Sequence, residues 1–176
     1  MLDGINGILQ CFADSQQSVD VIGEWELDNP ALRYKLIVVP EWSELSCKDK
    51  LLTFAENGGS LLIIGSDATK LFEKELGVSI TDTVKQKRVF IGDKYDYCSF
   101  GELSDINEVK VLTAVAAENA FLNSDFSDIH TALTVNGLGK GKIAGIYFDI
   151  GQQYTSGRTA GACDFIKRTV SKLLQK

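Results

Sequence analysis

Two short apolar runs, at residues 34–40 and 60–65, constrain the fold of this chain more than any other feature of its sequence. Both runs are continuous and rich in β-branched residues, which is typical of parallel strands that are covered on both faces. Residues 46–56 lie between them with apolar side chains at helical spacing, and Ser46 and Asp49 form an approximate capping box at the start. A strand, a helix and a strand in this order predict a right-handed βαβ unit, with the first run in the centre of the sheet.

Other segments extend this α/β pattern in both directions. Apolar residues recur at helical spacing over residues 5–12, and the β-branched segment 19–25 is predicted to be a strand. A helix is expected over residues 68–76, where Gly77 supplies its cap.

The second half of the chain has a less regular pattern. Short strands are predicted at residues 88–91 and 109–112, within a polar and irregular stretch. The glycine-rich segment 136–141 separates two apolar runs and predicts a β-hairpin, not a phosphate loop, because a phosphate loop opens a helix. A closing helix follows, with Asp164 and Arg168 placed as an i,i+4 ion pair.

Length and charge narrow the class of protein. The 176 residues are expected to form one domain, residues 1–176, since domains of this size bury an adequate core. The net charge of −6 argues against nucleic acid as a partner, because an acidic surface repels phosphate backbones. No apolar run is long enough to predict a membrane span.

The cysteines and the acidic residues predict neither a metal site nor a cofactor. Cys11, Cys47, Cys98 and Cys163 are far apart and form no CxxC pair, so free thiols are expected, although sequence spacing does not tell whether two of them meet in space. An acidic and aromatic stretch lacks the regular spacing of calcium ligands and is interpreted as a solvated loop. It comprises Asp93, Tyr95, Asp96, Tyr97, Glu102 and Asp105.

Three blocks of the chain together carry a family resemblance. They are residues 34–40 with 56–65, the turn at residues 136–143, and residues 147–151 ahead of the closing helix. In order and spacing they resemble the class I glutamine amidotransferase-like superfamily, in particular the trimerisation-type domains of bacterial β-galactosidases. The resemblance implies a three-layer αβα, flavodoxin-like fold with a mainly parallel sheet, a C-terminal β-hairpin and a terminal helix.

The same resemblance implies that the catalytic residues are missing. Active members carry a cysteine on the sharp turn after the second run, where this chain reads Gly65, Ser66 and Asp67, and a histidine late in the chain, where it has Asp149. An aspartate that ionises near pH 4 is a poor base for a serine hydroxyl. We therefore expect a non-catalytic accessory domain, with no cofactor.

The resemblance also suggests partners for such a domain. It implies contact with protein, either a second copy or the catalytic domain of a parent chain, in a protein that processes carbohydrate. The carbohydrate part rests on analogy of fold. Superfamily members usually begin with a central strand, so either residues 19–25 replace it or the chain is a module cut from a longer one.

Two alternatives stay open. In the first, Trp42, Ser66 and Asp67 bind a glycan or small ligand at the carboxyl edge of the sheet, where open α/β folds place their ligands. In the second, Ser66 acts as the nucleophile of a hydrolase with His130, the single histidine of the chain, as its base. That pair must lie within hydrogen-bonding reach to act.

Overall fold

A computed structural model describes residues 2–29, 33–92, 97–123 and 125–175. These residues form six α-helices, one short 3₁₀ helix at Glu24–Asp28, and seven strands in a single mixed sheet. The helices are α1 (Leu2–Asp14), α2 (Lys48–Glu56), α3 (Ser66–Leu71), α4 (Glu73–Leu76), α5 (Ile150–Ser156) and α6 (Ala160–Leu174). The strands are β1 (Leu36–Val39), β2 (Ser60–Ile64), β3 (Val78–Gly92), β4 (Tyr97–Val111), β5 (Val115–Phe121), β6 (Ile129–Leu138) and β7 (Gly141–Ile146). None of the described helices is both long and apolar enough to cross a bilayer.

Three parallel strands form the part of the sheet that carries the site. β2 pairs in parallel with β1 on one side and with β7 on the other. All five residues of β2 are buried, which confirms the prediction from its apolar run. Helices α2, α3 and α6 contact β2, and α1 packs against α5 and α6.

The remaining strands are antiparallel, so the prediction of a mainly parallel sheet is wrong. The strand order is β1-β2-β7-β6-β5-β3-β4, and every pairing from β7 to β4 is antiparallel. Parallel neighbours need a long crossover, usually a helix, and the described residues between 78 and 146 contain no helix. The irregular middle of the sequence is instead a long, bulged β3–β4 hairpin followed by β5.

β1 lies at the edge of the sheet and not at its centre as predicted. Its burial alternates, with Ile37 and Val39 buried while Leu36 and Val38 are half-buried. A continuous apolar run indicates that both faces of a strand are covered, but it does not indicate how many other strands pair with it. The prediction of a central position was wrong because coverage of both faces does not require a paired strand on each side.

The predicted strand at residues 19–25 is also absent. Residues 17–23 have no regular structure, and the 3₁₀ helix follows them. Val21 and Trp25 are 71% and 75% exposed, so the apolar side chains of this segment are not drawn into a sheet. β-branched residues favour a strand only where neighbouring strands give them a surface to pack on.

Two predicted polar pairs are replaced by other contacts. The Ser46 hydroxyl donates to the Glu24 carboxylate, and α2 has Cys47 at its N-cap without a side-chain bond, so the capping box is not formed. Arg168 makes two hydrogen bonds to Glu118 in β5, at 2.9 and 2.8 Å, and Asp164 forms its ion pair with Lys167 at 3.8 Å. Both replacement partners are distant in sequence and could not be found from local spacing.

The glycine-rich hairpin, the closing helix and the helix ahead of Gly77 are confirmed. β6 and β7 pair across a turn in which Gly139 has a φ of 59°. Gly77 ends α4 with a φ of 69°, although Phe72 divides the predicted helix into α3 and α4. The predicted core residues of α6 are all buried: Ala162, Ile166, Val170 and Leu173.

Residues 93–96 of the predicted acidic loop lie outside the described part of the chain, as do the side chains of Tyr97 and Glu102. For the rest of the stretch the prediction of a loop is wrong, because Tyr97, Glu102 and Asp105 belong to strand β4. Asp105 is described, and its carboxylate accepts from Lys85 at 2.7 Å and from the backbone N–H of Gln86 at 3.1 Å. These bonds hold the pKa of Asp105 below its ordinary value, with the Lys85 hydrogen bond as the main cause.

Candidate functional site

The carboxyl ends of the three parallel strands bring together side chains from three separate parts of the sequence. Glu41 comes after β1, Gly65 and Ser66 follow β2, and Asp149 comes after β7. Parallel strands end at the same edge of their sheet, so the turns after them share one region. This edge is where open α/β sheets bind their ligands.

The Glu41 carboxylate occupies the turn between β2 and α3. Its Oε1 accepts from the backbone N–H groups of Asp67, at 2.7 Å, and of Ala68, at 3.2 Å. Gly65 has a φ of 114°, and a Cβ at this position would lie 1.7 Å from Glu41 Oε2. The turn therefore requires glycine both for its backbone conformation and for the space that Glu41 fills.

Asp149 caps α5 at the same edge. Its Oδ1 accepts from the backbone N–H of Gln152 at 3.0 Å, as N-cap residues commonly do. Gly4 of α1 lies against it, since a Cβ there would be 3.1 Å from Oδ2. The sequence resemblance predicted that Asp149 replaces a catalytic histidine, and in the structure Asp149 starts a helix.

Burial makes both carboxyl groups harder to ionise. It raises the pKa of Glu41 to about 7, and the bonds from Asp67 and Ala68 offset part of this effect. The negative charge of Asp149 is one of the smaller causes of this raised pKa. Burial also raises the pKa of Asp149, against the lowering effect of its backbone hydrogen bonds. The edge therefore holds two partly desolvated carboxyl groups near each other.

A pocket of about 290 Å³ opens above these groups. Trp42 and Asp67, both predicted as ligand-edge residues, line it together with Asp149. Asp67 also pairs with Lys70 at 3.0 Å. The remaining lining residues are Gly4, Ile5, Pro40, Glu41, Ser43 and Gln152.

Ser66 is held in place by a hydrogen bond from a side chain of β4. Its backbone carbonyl accepts from Asn107 Nδ2 at 2.6 Å, and the same amide group donates to Thr69 Oγ1 at 3.0 Å. Asn107 is fully buried, so these bonds satisfy a polar side chain inside the core. The long hairpin thereby fixes the position of the turn after β2.

His130 does not join this site through any described contact. Its hydrogen-bonding and ion-pair partners are Asp128, at 3.0 Å, and Glu108, at 3.7 Å. The imidazole side chain is mostly buried between these groups. Ser66 is not among its partners, so the described contacts supply no base for a Ser66 nucleophile.

The thiols whose side chains are described also lie elsewhere. Cys11 and Cys163 are buried between α1 and α6, and Cys47 precedes α2. Among the described side chains, no group of three or more histidine, cysteine or acidic residues could hold a metal ion.

Glu41 is the site residue that sequence analysis missed. It stands between Pro40, which ends the apolar run, and Trp42, which was identified as a site candidate. Inspection of every residue directly after a parallel strand would have included it. Its bond to the turn after β2 could not have been inferred, because that contact depends on β1 and β2 being adjacent.

A larger groove, of about 1210 Å³, lies at the opposite edge of the sheet. It is formed by the amino ends of the parallel strands, with Ser60 and Gly141 in its lining, and by α2 and the end of α6. There Lys142 donates to the backbone carbonyls of Lys172 and Gln175, which gives it a capping role on α6. The smaller pocket is the better candidate site, since it lies at the carboxyl edge with the desolvated carboxyl groups.

No family model matches the chain, and no curated protein matches it either. Its fold is found in solved structures, several of which are glycoside hydrolases. It covers only about a quarter to a third of the length of those enzymes.

Individual matches define the extent of this likeness. The β-galactosidase Gan42B from G. stearothermophilus is 19% identical with a TM-score of 0.68, over 95% of this chain and 25% of that one. The α-L-fucosidase isoenzyme 2 from Paenibacillus thiaminolyticus is 12% identical with a TM-score of 0.71, and the match covers 99% of this chain and 30% of that one. A cytoplasmic protein from Salmonella typhimurium is 16% identical with a TM-score of 0.68, and the match covers 98% of this chain and 88% of that one. The fold thus occurs both as part of large enzymes and as nearly the whole of a small protein.

Proposed function

We propose that this chain is a non-catalytic accessory domain of a carbohydrate-processing protein, and that it serves assembly or interaction. The observation that carries the proposal is the Glu41 carboxylate on the two N–H groups of the turn after β2. A nucleophile at such a turn needs free N–H donors nearby to stabilise the negative charge of its transition state. Here the chain's own carboxylate uses the donors of Asp67 and Ala68.

Two further observations at this turn support the non-catalytic part of the proposal. Ser66 has no base among its described partners, and Asp149 is engaged as the cap of α5. We include in the proposal that the domain is a degenerate, flavodoxin-like member of the amidotransferase-like superfamily. The likeness to parts of glycoside hydrolases supports the carbohydrate context as an analogy of fold.

Exposed apolar side chains provide surface for an assembly contact. Trp25 and Val21 are the most exposed of the large apolar residues in the described chain, and Tyr34 follows them ahead of β1. β1 itself has an outer edge with no paired strand among the described residues. Exposed aromatic side chains and open strand edges are both common in protein interfaces.

Sedimentation velocity tests the assembly role. We expect a shift from monomer to oligomer across protein concentrations of about 1–100 μM, the range in which interfaces of modest size associate. Trp25→Ala should weaken this association, whereas Leu174→Ala, a change at an exposed apolar residue of α6, should leave it intact. A strict monomer that also fails to bind the rest of its parent chain would contradict the assembly proposal.

Activity assays test the non-catalytic part separately. We expect no release of ammonia from glutamine and no hydrolysis of activated esters above the background rate. Turnover that Ser66→Ala abolishes would overturn this part of the proposal and would restore the hydrolase hypothesis.

Ligand binding is a second candidate function, and the pocket beside Trp42 is the observation that favours it. The chain has two tryptophans, so Trp25→Phe leaves Trp42 as the sole indole reporter. In this variant, a glycan that enters the pocket should change the tryptophan fluorescence in a saturable way. A flat response to a panel of neutral, acidic and amino sugars would dismiss the binding role for those classes.

A further inference from the structure

Two thiols from opposite ends of the sequence meet between α1 and α6. Cys11 lies near the end of α1 and Cys163 in the first turn of α6, and both are buried. Cys47, the third thiol described, lies apart from them and is influenced by Glu24 and Lys50. The Cys11–Cys163 contact is one that the sequence spacing did not reveal.

Ser15 holds the two backbones together. Its hydroxyl lies 2.6 Å from the carbonyl oxygen of Cys11 and 3.2 Å from that of Cys163. A single oxygen therefore bridges the main chains of the two cysteine residues. Disulfides form between residues whose Cα atoms lie about 4.4–6.8 Å apart, so this closeness of the main chains favours a bond.

The side chains of the two residues also interact. The pKa of Cys11 is raised to about 12, mainly by burial and also by the charge and hydrogen bonding of the Cys163 side chain. On the other side of Cys163, the Tyr154 hydroxyl lies 3.2 Å from Sγ and donates to Asp14 at 2.7 Å. The thiols share one small polar cluster inside an otherwise apolar region.

We propose that Cys11 and Cys163 are a site for a reversible intrachain disulfide, which locks α1 onto α6. The oxidant is a small disulfide such as oxidised glutathione. The Cys163 thiolate, which is the more exposed of the two, attacks it and releases one glutathione thiolate. The Cys11 thiolate then attacks the mixed disulfide at the Cys163 sulfur and releases the second. Two thiols are oxidised, one disulfide is reduced to two thiols, and the two protons move to the leaving glutathione.

The reaction should be slow, because the thiolate is the reactive form and both thiols are buried. It depends on transient opening of α1, which lies at one end of the described chain and packs chiefly on α5 and α6. Once formed, the bond encloses most of the chain in one loop and so restricts the unfolded state. We expect the Tm of the oxidised form to rise by about 5–10 °C.

Mass mapping of the wild-type chain is the decisive experiment. The protein is incubated with oxidised glutathione for several hours, then denatured and alkylated. We expect Cys11 and Cys163 to escape alkylation, with their peptides joined, while Cys47 and Cys98 are labelled. Full labelling of Cys11 and Cys163, or a disulfide that joins any other pair, would overturn the proposal.

Matched variants separate the disulfide from general oxidation. Cys47→Ser removes a buried thiol outside the pair and should retain both the joined peptides and the rise in Tm. Cys11→Ser should lose both and should retain only a mixed disulfide on Cys163. If Cys11→Ser fails to fold, the wild-type mapping alone still decides the question.

Discussion

At the scale of single residues, Gly65 determines whether the turn after β2 can form. A side chain there must adopt a φ of 114° and must displace Glu41, whose carboxylate fills the space. We predict that Gly65→Ala lowers the free energy of unfolding by about 2–4 kcal/mol, since backbone strain and overpacking act together. Urea denaturation followed by circular dichroism measures the change.

Gly137 is the matched control for this prediction. A Cβ at Gly137 meets nothing within 4 Å, and its φ is not positive. Gly137→Ala should therefore change the free energy of unfolding by less than about 0.5 kcal/mol. Equal losses in the two variants would mean that Glu41 does not restrict the turn.

Glu41 should make the stability of the fold depend on pH. Its pKa is about 7 in the folded chain against an ordinary value of 4.5, so the folded state binds more protons than the unfolded state between these values. The free energy of unfolding contributed by Glu41 is thus fully present below pH 4.5 and is lost as the pH rises to about 7. Asp149 has the same sign, because burial also raises its pKa.

Glu41→Gln should flatten this dependence. The amide oxygen can still accept from Asp67 and Ala68, but the group no longer ionises. Glu41 is half-buried, so solvent screening reduces the effect. Between pH 4.5 and 7.5, the free energy of unfolding of the wild-type chain should fall by about 1–2 kcal/mol more than that of the variant. Urea denaturation at each pH measures it. Glu44→Gln, an exposed change nearby, should follow the wild type, and parallel curves for Glu41→Gln would rule out the effect.

At the scale of elements, Asn107 joins the β3–β4 hairpin to the turn after β2. Its amide donates to Ser66 and Thr69, and its Oδ1 accepts from Thr83 Oγ1 at 2.7 Å. Asn107→Ala leaves buried polar groups without partners, so we expect a loss of about 2–4 kcal/mol in the free energy of unfolding. Thermal and urea denaturation both report it.

The control for Asn107 is an exposed asparagine. Asn123 donates to Ser127 at the surface, so Asn123→Ala should lower the free energy of unfolding by less than about 1 kcal/mol. A loss in Asn107→Ala no larger than in this control would show that the hairpin does not support the turn.

The length of the β3–β4 hairpin could not be predicted from the sequence. Only residues 88–91 and 109–112 were predicted to be strands there, whereas β3 and β4 each span 15 residues. Their pairing contains three register shifts, and Gln86 has a φ of 51°. Each bulge interrupts the period-two alternation on which strand prediction depends. By contrast, β2 and the β6–β7 hairpin have continuous apolar runs and a glycine turn, and both were predicted correctly.

At the scale of the whole molecule, three of the predicted edge residues share one pocket, whereas Gly65 and Ser66 are not among its lining residues. Trp42, Asp67 and Asp149 do line one pocket, because each follows a parallel strand and such strands end at the same edge. The order of the strands was not predictable, because it depends on pairings between segments that are far apart in sequence, such as β2 with β7.

Strand order has a consequence for hydrogen exchange that tests the architecture. β2 is paired on both sides and buried throughout, whereas among the described strands only β2 pairs with β1. The amides of β2 should exchange only through global unfolding, and at least half of those in β1 should exchange faster by a factor of about 100 or more. Mass spectrometry or NMR measures these rates. Equal protection of the two strands would indicate that β1 has a further neighbour.

The contact between Glu41 and the turn after β2 also limits how this domain could change over evolutionary time. A thiol introduced at Ser66 would lie beside donors already engaged by a carboxylate, at an edge that holds Asp149 and no described imidazole. At least three positions would have to change together, and the intermediate steps would bring no gain in activity. The contact therefore makes the evolution of a thiol nucleophile at this turn less accessible than change at the surface of the domain.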